Sequence, residues 1–115
     1  MANECEKFKK ERDELNEVLL KYADVKIKRF LSLDSQNYRP EALPKKVKEL
    51  LGLSTSMVLR CDDCIKYHLA ECFKADVTDK ELEETLSIAM LVGGSITIPH
   101  IRRAFKFWDE LKSAK

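Results

Sequence analysis

The chain has 115 residues, of which 21 are Lys or Arg and 20 are Asp or Glu, so its net charge is close to zero. This balance gives no electrostatic reason to expect nucleic acid or an anionic membrane as a partner. No apolar run approaches the roughly 20 residues of a membrane span, and the N-terminal residues lack the apolar stretch of a signal peptide. We therefore expect one cytoplasmic domain over residues 1–115, with a core that forms without crosslinks.

The composition predicts a compact all-α domain of about five to six helices, because Gly and Pro number only three each. Apolar residues at mostly helical spacing predict one long N-terminal helix over about residues 3–32, with heavily charged flanks. The second helix is expected over 42–59, with Pro44 in its first turn. A break at 52–55 is an alternative, because Gly52 and the Ser and Thr residues after it weaken the helical pattern.

The remaining helices complete a core expected over about residues 40–112. The third helix is expected over 61–75 and begins with a CxxC motif. Thr78 is a suitable N-cap for the fourth helix, with Glu81 at the capping-box position. That helix is expected over about 79–92, where the Gly93-Gly94 pair ends it. The fifth is expected from Ser95 or Thr97, with Pro99 in its first turn, to about Leu111.

The third predicted helix carries the strongest functional signal in the chain. Cys61 and Cys64 are three residues apart and His68 is four residues further on, so the three side chains share one helix face. The Cα atoms of residues i and i+3 lie about 5–6 Å apart, within the range that a disulfide tolerates. A thiol pair with its own base is the minimal equipment for redox chemistry. In the cytosol, a CxxC motif is more often catalytic or metal-binding than structural.

A zinc site on the same helix is disfavoured by its geometry. Cys61, Cys64, His68 and Cys72 lie on one stripe, but Cys61 and Cys72 would be about 16 Å apart along the axis. Zinc holds each ligand within about 2.3 Å, and the chain has no second CxxC and no HxxxH. We expect no metal and no cofactor. Cys72 is expected in the core and His100 at the surface or a subunit contact, and a buried cysteine pair beside a core histidine stays open as an alternative.

The charges beside the two thiols act in opposite directions. A helix N-terminus stabilises a thiolate, and Arg60 and Lys66 add positive charge. Asp62 and Asp63 raise the pKa of the thiols, unless they cap the start of the helix instead. The sequence therefore leaves open whether the pKa of the two thiols is raised or lowered overall.

A carboxylate in the second predicted helix can reach the histidine. If the second and third helices form an antiparallel hairpin that turns near residue 60, Glu49 lies about 16 Å back from the turn and His68 about 12 Å forward. A Glu side chain, with or without one water, spans that difference. Glu49 can then orient His68 and hold its proton, as a third group orients the base of a catalytic triad. Taken alone, Glu49 is more readily interpreted as a surface glutamate in a Lys-rich stretch.

The spacing of these residues resembles the signature of the alkylhydroperoxidase D-like, carboxymuconolactone decarboxylase family. The signature is carried by Glu49, eleven intervening residues, Cys61-x-Asp63-Cys64, three more residues and His68. The resemblance covers about residues 40–112. It implies an all-helical protein that forms homo-oligomers, as trimers or hexamers.

The resemblance also implies a role for each residue of the motif. In the family's thiol peroxidases the second cysteine of the pair attacks the peroxide, which makes Cys64 the peroxidatic residue and Cys61 the resolving one, with Glu49 and His68 as the proton relay. The family's decarboxylases lack the cysteine pair, so the chain is similar to the thiol branch. We therefore expect a thiol-dependent peroxidase acting on hydroperoxides, with an unidentified thiol reductant for which a lipoyl-carrying or thioredoxin-like protein is the candidate. The alternatives are a carboxymuconolactone decarboxylase-type enzyme and a non-catalytic helical oligomer whose thiols sense redox state.

Overall fold

The computed structural model describes residues 3–113, which form six α-helices and one short 3₁₀ helix and include no strand. The predicted all-α fold is confirmed. No helix within residues 3–113 combines the length and the apolar character needed to cross a membrane. The helices are α1 (Glu4–Tyr22), α2 (Val25–Asn37), α3 (Lys45–Val58), α4 (Asp62–Lys74), α5 (Asp79–Gly93), the 3₁₀ helix Ser95–Thr97 and α6 (Ile98–Ser113).

The single N-terminal helix predicted over 3–32 is wrong, because the chain forms two helices there. Helix α1 ends at Tyr22 and α2 begins at Val25. Asp24 separates them as the N-cap of α2, and its carboxylate accepts a 2.7 Å hydrogen bond from the Val25 N–H. An Asp side chain satisfies a free backbone donor at a helix start. Apolar spacing does not register an interruption of two residues.

Helix α3 is continuous, so the alternative break at 52–55 does not occur. The hydroxyls of Ser54 and Thr55 donate to the carbonyl of Leu51, at 3.0 and 2.8 Å. Both hydroxyls are therefore satisfied by a carbonyl of the helix itself, and the helix continues through them. Pro44 is the N-cap of α3 and not a residue of its first turn.

The core lies between α3, α4, α5 and α6. Its largest fully buried apolar side chains include Leu53 and Met57 of α3, Ile65 and Leu69 of α4, and Leu82 and Leu86 of α5. Full burial of one such side chain contributes about 1.5–3 kcal/mol. Because α3 and α4 both place apolar residues in this core, their shared interface is fixed along its length.

Helix α5 begins and ends as its sequence indicates. The Thr78 hydroxyl accepts from the Glu81 N–H at 3.1 Å, and the Glu81 carboxylate accepts from the Thr78 N–H at 2.8 Å. This is the predicted capping box. Gly94 follows the helix with φ of 87°, a left-handed conformation that favours glycine. At the start of α5, Asp79 accepts from the indole N–H of Trp108 at 2.8 Å, which ties α6 to this end of the core.

Candidate active site

A tight reversal between α3 and α4 places the cysteine pair. Leu59 is the C-cap of α3, and Arg60 follows it with φ of 56°. The Arg60 N–H donates to the Met57 carbonyl at 3.0 Å, and the Cys61 N–H donates to the Ser56 carbonyl at 3.1 Å. This pair of hydrogen bonds is the Schellman motif, which ends a helix through a left-handed residue. Cys61 leaves the motif as the N-cap of α4, so the end of one helix fixes the start of the next.

Relief of the left-handed conformation at residue 60 should stabilise the protein. Asp76 has φ of 62° in the same motif at the end of α4, where the Val77 N–H donates to the Cys72 carbonyl. A left-handed conformation costs an L-residue about 1–2 kcal/mol. Glycine avoids this cost, but part of the gain is offset because its unfolded state is more flexible. We expect Arg60→Gly and Asp76→Gly each to raise the free energy of unfolding by about 0.5–1 kcal/mol, measured by urea denaturation. Arg60→Ala removes the charge and keeps the Cβ, so an equal gain in that control would contradict this origin.

Cys61 and Cys64 form a disulfide across the first turn of α4. Their Cα atoms lie 5.3 Å apart, within the 5–6 Å that the i, i+3 spacing predicts. The Cys64 N–H points to the Cys61 sulfur at 3.3 Å. Cys61 is half-buried and Cys64 is exposed. Cys64 is therefore the more exposed residue of the pair.

Glu49 and His68 form a direct buried pair between α3 and α4. Glu49 is 0% exposed and His68 8% exposed. The Glu49 Oε1 atom lies 2.8 Å from Nδ1 of His68, and the Lys45 ammonium donates to Oε2 at 2.8 Å. The hairpin geometry expected from the sequence therefore brings these two side chains together without an intervening water.

The two hydrogen bonds keep the Glu49 carboxyl ionised. Burial by itself raises the pKa of this carboxyl, but the hydrogen bonds from His68 and Lys45 outweigh it and hold the pKa below its ordinary value. An ionised carboxylate can only accept, so the hydrogen-bond network assigns a proton to Nδ1 of His68. In the neutral imidazole, Nε2 is then left with a free lone pair. That nitrogen is the basic atom of the pair.

Tyr38 is a site residue that the sequence does not predict. Its hydroxyl lies 3.4 Å from Nε2 of His68, and the two rings are tilted with centroids 5.2 Å apart. Tyr38 stands 30 residues before His68, in the C-cap position of α2, and belongs to no motif. The sequence offers one indication of a close contact here, which is Gly52 in α3. Its backbone lies so close to the two rings that an added Cβ would be 2.7 Å from Cε1 of His68.

His100 takes part in a second histidine–carboxylate contact at the start of α4. Its Nδ1 atom lies 2.8 Å from Oδ1 of Asp62, and Arg103 donates to Oδ2 at 3.1 Å. Burial raises the pKa of Asp62, but His100 and Arg103 together bring it below the ordinary value. Asp62 therefore binds α6 and does not cap α4, since Cys61 has that role. The first turn of α4, which carries the disulfide, is fixed by α6 through Asp62.

The two other cysteines lie in surroundings that suppress their reactivity. Cys72 is fully buried, as expected, and burial raises the pKa of its thiol to about 12. Burial also raises the pKa of Cys5 to about 11, and its thiol donates to the Phe107 carbonyl at 3.4 Å. A thiol that stays protonated is a poor nucleophile. Within residues 3–113, no three His, Cys, Asp or Glu side chains are grouped so as to hold a metal ion.

The fold and the site together define a small helical protein with a disulfide-forming CxxC at the start of α4 and a buried Glu–His pair whose histidine lies on the same helix. The sequence model of the carboxymuconolactone decarboxylase family matches residues 27–107. The chain belongs to this family.

Solved structures extend the similarity over nearly the whole chain. A crystal structure of a Thermotoga maritima protein is 53% identical, with a TM-score of 0.92, and covers 94% of this chain and 95% of that one. A second Thermotoga maritima structure is 52% identical, with a TM-score of 0.89, and covers 93% of this chain and 91% of that one. It is described as a carboxymuconolactone decarboxylase family protein with a suggested part in an antioxidative response.

Similarity to a curated protein is more limited. An uncharacterized protein of Cupriavidus necator is 29% identical over 72 residues, which is 63% of this chain. The match spans 64% of that relative, so the chain covers less than two thirds of its length.

Proposed function

We propose that this protein is a thiol-dependent peroxidase that reduces hydroperoxides through a Cys61–Cys64 dithiol/disulfide cycle, with Glu49 and His68 as its proton relay. The observation that carries the proposal is an accessible cysteine pair on the same helix as the buried Glu49–His68 pair. The suggested antioxidative role of the similar Thermotoga maritima protein supports a redox activity in place of decarboxylation.

The first step oxidises one thiol. The Cys64 thiolate attacks a peroxide oxygen, the O–O bond breaks, and the sulfur becomes a sulfenic acid. The departing alkoxide or hydroxide needs a proton. The proton of the thiol is received at Nε2 of His68, which can return it to the leaving group, while the Glu49 carboxylate stabilises the imidazolium that forms between these two events.

The second step closes the disulfide. The Cys61 thiol attacks the sulfenic sulfur of Cys64, the S–O bond breaks, and the oxygen leaves as water with the proton of Cys61. Cys61 suits the resolving role because its sulfur already lies beside the backbone of Cys64, 3.3 Å from its nitrogen. Capture within one helical turn protects the sulfenic acid from further oxidation.

Cys64 suits the attacking role for two reasons. It stands four residues before His68, so the two side chains lie on the same face of α4. It is also the more exposed residue of the pair, which favours access by a peroxide and later by an external thiol. The proposed reductant is a dithiol carried by a lipoyl or thioredoxin-like protein, which would attack the exposed sulfur and release the reduced pair.

We also propose that the protein works as a homo-oligomer, as a trimer or hexamer. Helix α2 has no buried residue, although its sequence is partly apolar. Large exposed apolar patches commonly mark contacts between proteins. The exposed apolar side chains of α2 are Val25, Ile27, Phe30, Leu31 and Leu33.

Oxidation by one equivalent of hydroperoxide tests the proposed chemistry. We expect the reduced protein to lose two hydrogen atoms, and peptide mapping to assign the new bond to Cys61 and Cys64. Cys5 and Cys72 should remain free thiols, since burial raises the pKa of both. Intact mass and thiol titration before and after the reaction measure this outcome. Cys5→Ser is the matched control and should behave as wild type. A protein that keeps all its thiols would contradict the peroxidase proposal and favour a decarboxylase.

A further inference from the structure

We propose that Tyr38 is a positioning residue of this site, whose hydroxyl holds Nε2 of His68 and conveys the proton that this nitrogen receives. The inference rests on the proposed peroxidase function for its effect on rate. It names a third member of the relay, which the family signature in this sequence does not include.

The hydrogen-bond directions along the chain of side chains are consistent with one another. Lys45 donates to Glu49, and Glu49 accepts from Nδ1 of His68. Only Nε2 remains to accept, and the Tyr38 hydroxyl stands 3.4 Å from it. Burial raises the pKa of Tyr38, with Asp34 and Glu49 acting in the same direction, so its hydroxyl keeps the proton that it donates.

An imidazole nitrogen has one lone pair, which decides how a proton can reach His68. While the Tyr38 hydroxyl donates to Nε2, a thiol cannot donate to the same atom. When the Cys64 thiol ionises, the Tyr38 hydroxyl therefore gives its proton to Nε2 and takes the proton of the thiol in exchange. Tyr38 ends unchanged, His68 carries the positive charge, and the thiolate is left on Cys64.

Gly52 gives independent support, because it makes room for this contact. A Cβ at this position would lie 2.7 Å from Cε1 of His68, 2.8 Å from the Tyr38 hydroxyl and 2.9 Å from Nε2. Glycine inside a helix is less favourable than alanine, and Gly52 lies within α3. The close approach of the two rings explains why the helix has no side chain there.

Tyr38 also stands between the buried pair and solvent. Together with Gly52 it lines a groove of about 530 Å³ between α2 and α3. Ser56 and Thr55 of α3 line the same groove. A proton that passes through the Tyr38 hydroxyl therefore moves between the interior, where Glu49 is fully buried, and a surface that small molecules can reach.

Further charged and aromatic side chains surround the Glu49–His68 pair. The Lys45 ammonium forms its ion pair with Glu49 and also lies 4.0 Å from the carboxylate of Glu71 in α4. Tyr67 packs its ring edge-on against His68, with centroids 5.3 Å apart, and Arg12 of α1 covers the Tyr67 ring at 4.2 Å. Tyr67 offers a matched control, since it is a second tyrosine in contact with the same imidazole.

The first experiment measures sulfenic acid formation when reduced protein meets hydrogen peroxide, in the Cys61→Ser background that prevents disulfide closure. We expect Tyr38→Phe to slow this step by about threefold to tenfold, the effect of losing one hydrogen bond to the reacting base. Tyr67→Phe should leave the rate unchanged. Gly52→Ala should slow the step as Tyr38→Phe does, and the double variant should be no slower than either single one. An unchanged or faster rate in Tyr38→Phe overturns the inference.

The second experiment does not depend on peroxidase activity. The chain has two histidines, so ¹⁵N ring labelling with a His100→Gln variant assigns the resonances of His68. We expect the Nε2 resonance to move in Tyr38→Phe and to stay in place in Tyr67→Phe. An unmoved resonance overturns the inference even if the peroxidase proposal itself fails. Should Gly52→Ala not fold, Tyr38→Phe still decides, because it removes a hydroxyl and keeps the ring.

Discussion

Replacement of Cys64 by serine should abolish the rapid reaction with hydroperoxide, lowering its second-order rate constant by about three orders of magnitude or more. The variant loses the attacking sulfur, and neither Cys5 nor Cys72 can replace it, because burial raises the pKa of both thiols. Cys61→Ser should keep the first step and accumulate the sulfenic acid of Cys64, since no resolving thiol remains. Stopped-flow peroxide consumption and dimedone trapping measure the two outcomes.

Cys5→Ser is the control for the loss of any thiol. It removes a partly buried cysteine that lies apart from the disulfide, so its rate should equal that of wild type. If Cys64→Ser reacts as fast as wild type, Cys64 is not the nucleophile. If only Cys61→Ser loses the fast phase, the two cysteines exchange their proposed roles.

Replacement of Glu49 should affect both activity and stability. Glu49→Gln removes the negative charge that faces His68, so we expect a loss of about a hundredfold in the rate of sulfenic acid formation. Glu49→Ala leaves Nδ1 of His68 buried without an acceptor and removes the closer of the two carboxylates that pair with Lys45. We expect it to lower the free energy of unfolding by about 2–4 kcal/mol. Glu71→Gln is the matched control. Glu71 pairs closely with Lys74, at 3.0 Å, and comes no nearer than 4.0 Å to Lys45.

The same carboxylate should make stability depend on pH in the acid range. The pKa of Glu49 is lowered from an ordinary value of 4.5 in the folded protein. A lowered pKa contributes stability that is fully present above the unfolded-state pKa and is lost as the pH falls through the folded one. We expect the urea midpoint of wild type to fall below pH 4.5 more steeply than that of Glu49→Gln. Equal slopes would mean that folding does not lower the pKa of Glu49.

The part of the site that lies on one helix could be predicted from the sequence. Residues three and four apart must share a helix face, so the placement of Cys61, Cys64 and His68 follows once α4 is identified. The contact of Glu49 with His68 could be predicted because α3 and α4 are consecutive and the turn between them is short. Distance from the turn then fixes which residues of the two helices face each other.

Contacts between more distant parts of the chain could not be predicted in this way. Tyr38 reaches His68 across 30 residues, and its position depends on where α2 ends. His100 reaches Asp62 across 38 residues through the packing of α6 on α4. Helical spacing describes one helix at a time and carries no information about such contacts. Helical spacing also does not predict the division between α1 and α2, since this division depends on one capping side chain, Asp24.

The most direct measurement of the central claim is a single-turnover reaction of the reduced wild-type protein with hydroperoxide, in the absence of other thiols. Peroxide consumed and disulfide formed are both quantified. We predict one hydroperoxide reduced for each Cys61–Cys64 bond, at a rate far above that of an ordinary free thiol. Hydroperoxide that persists while the pair stays reduced would contradict the account.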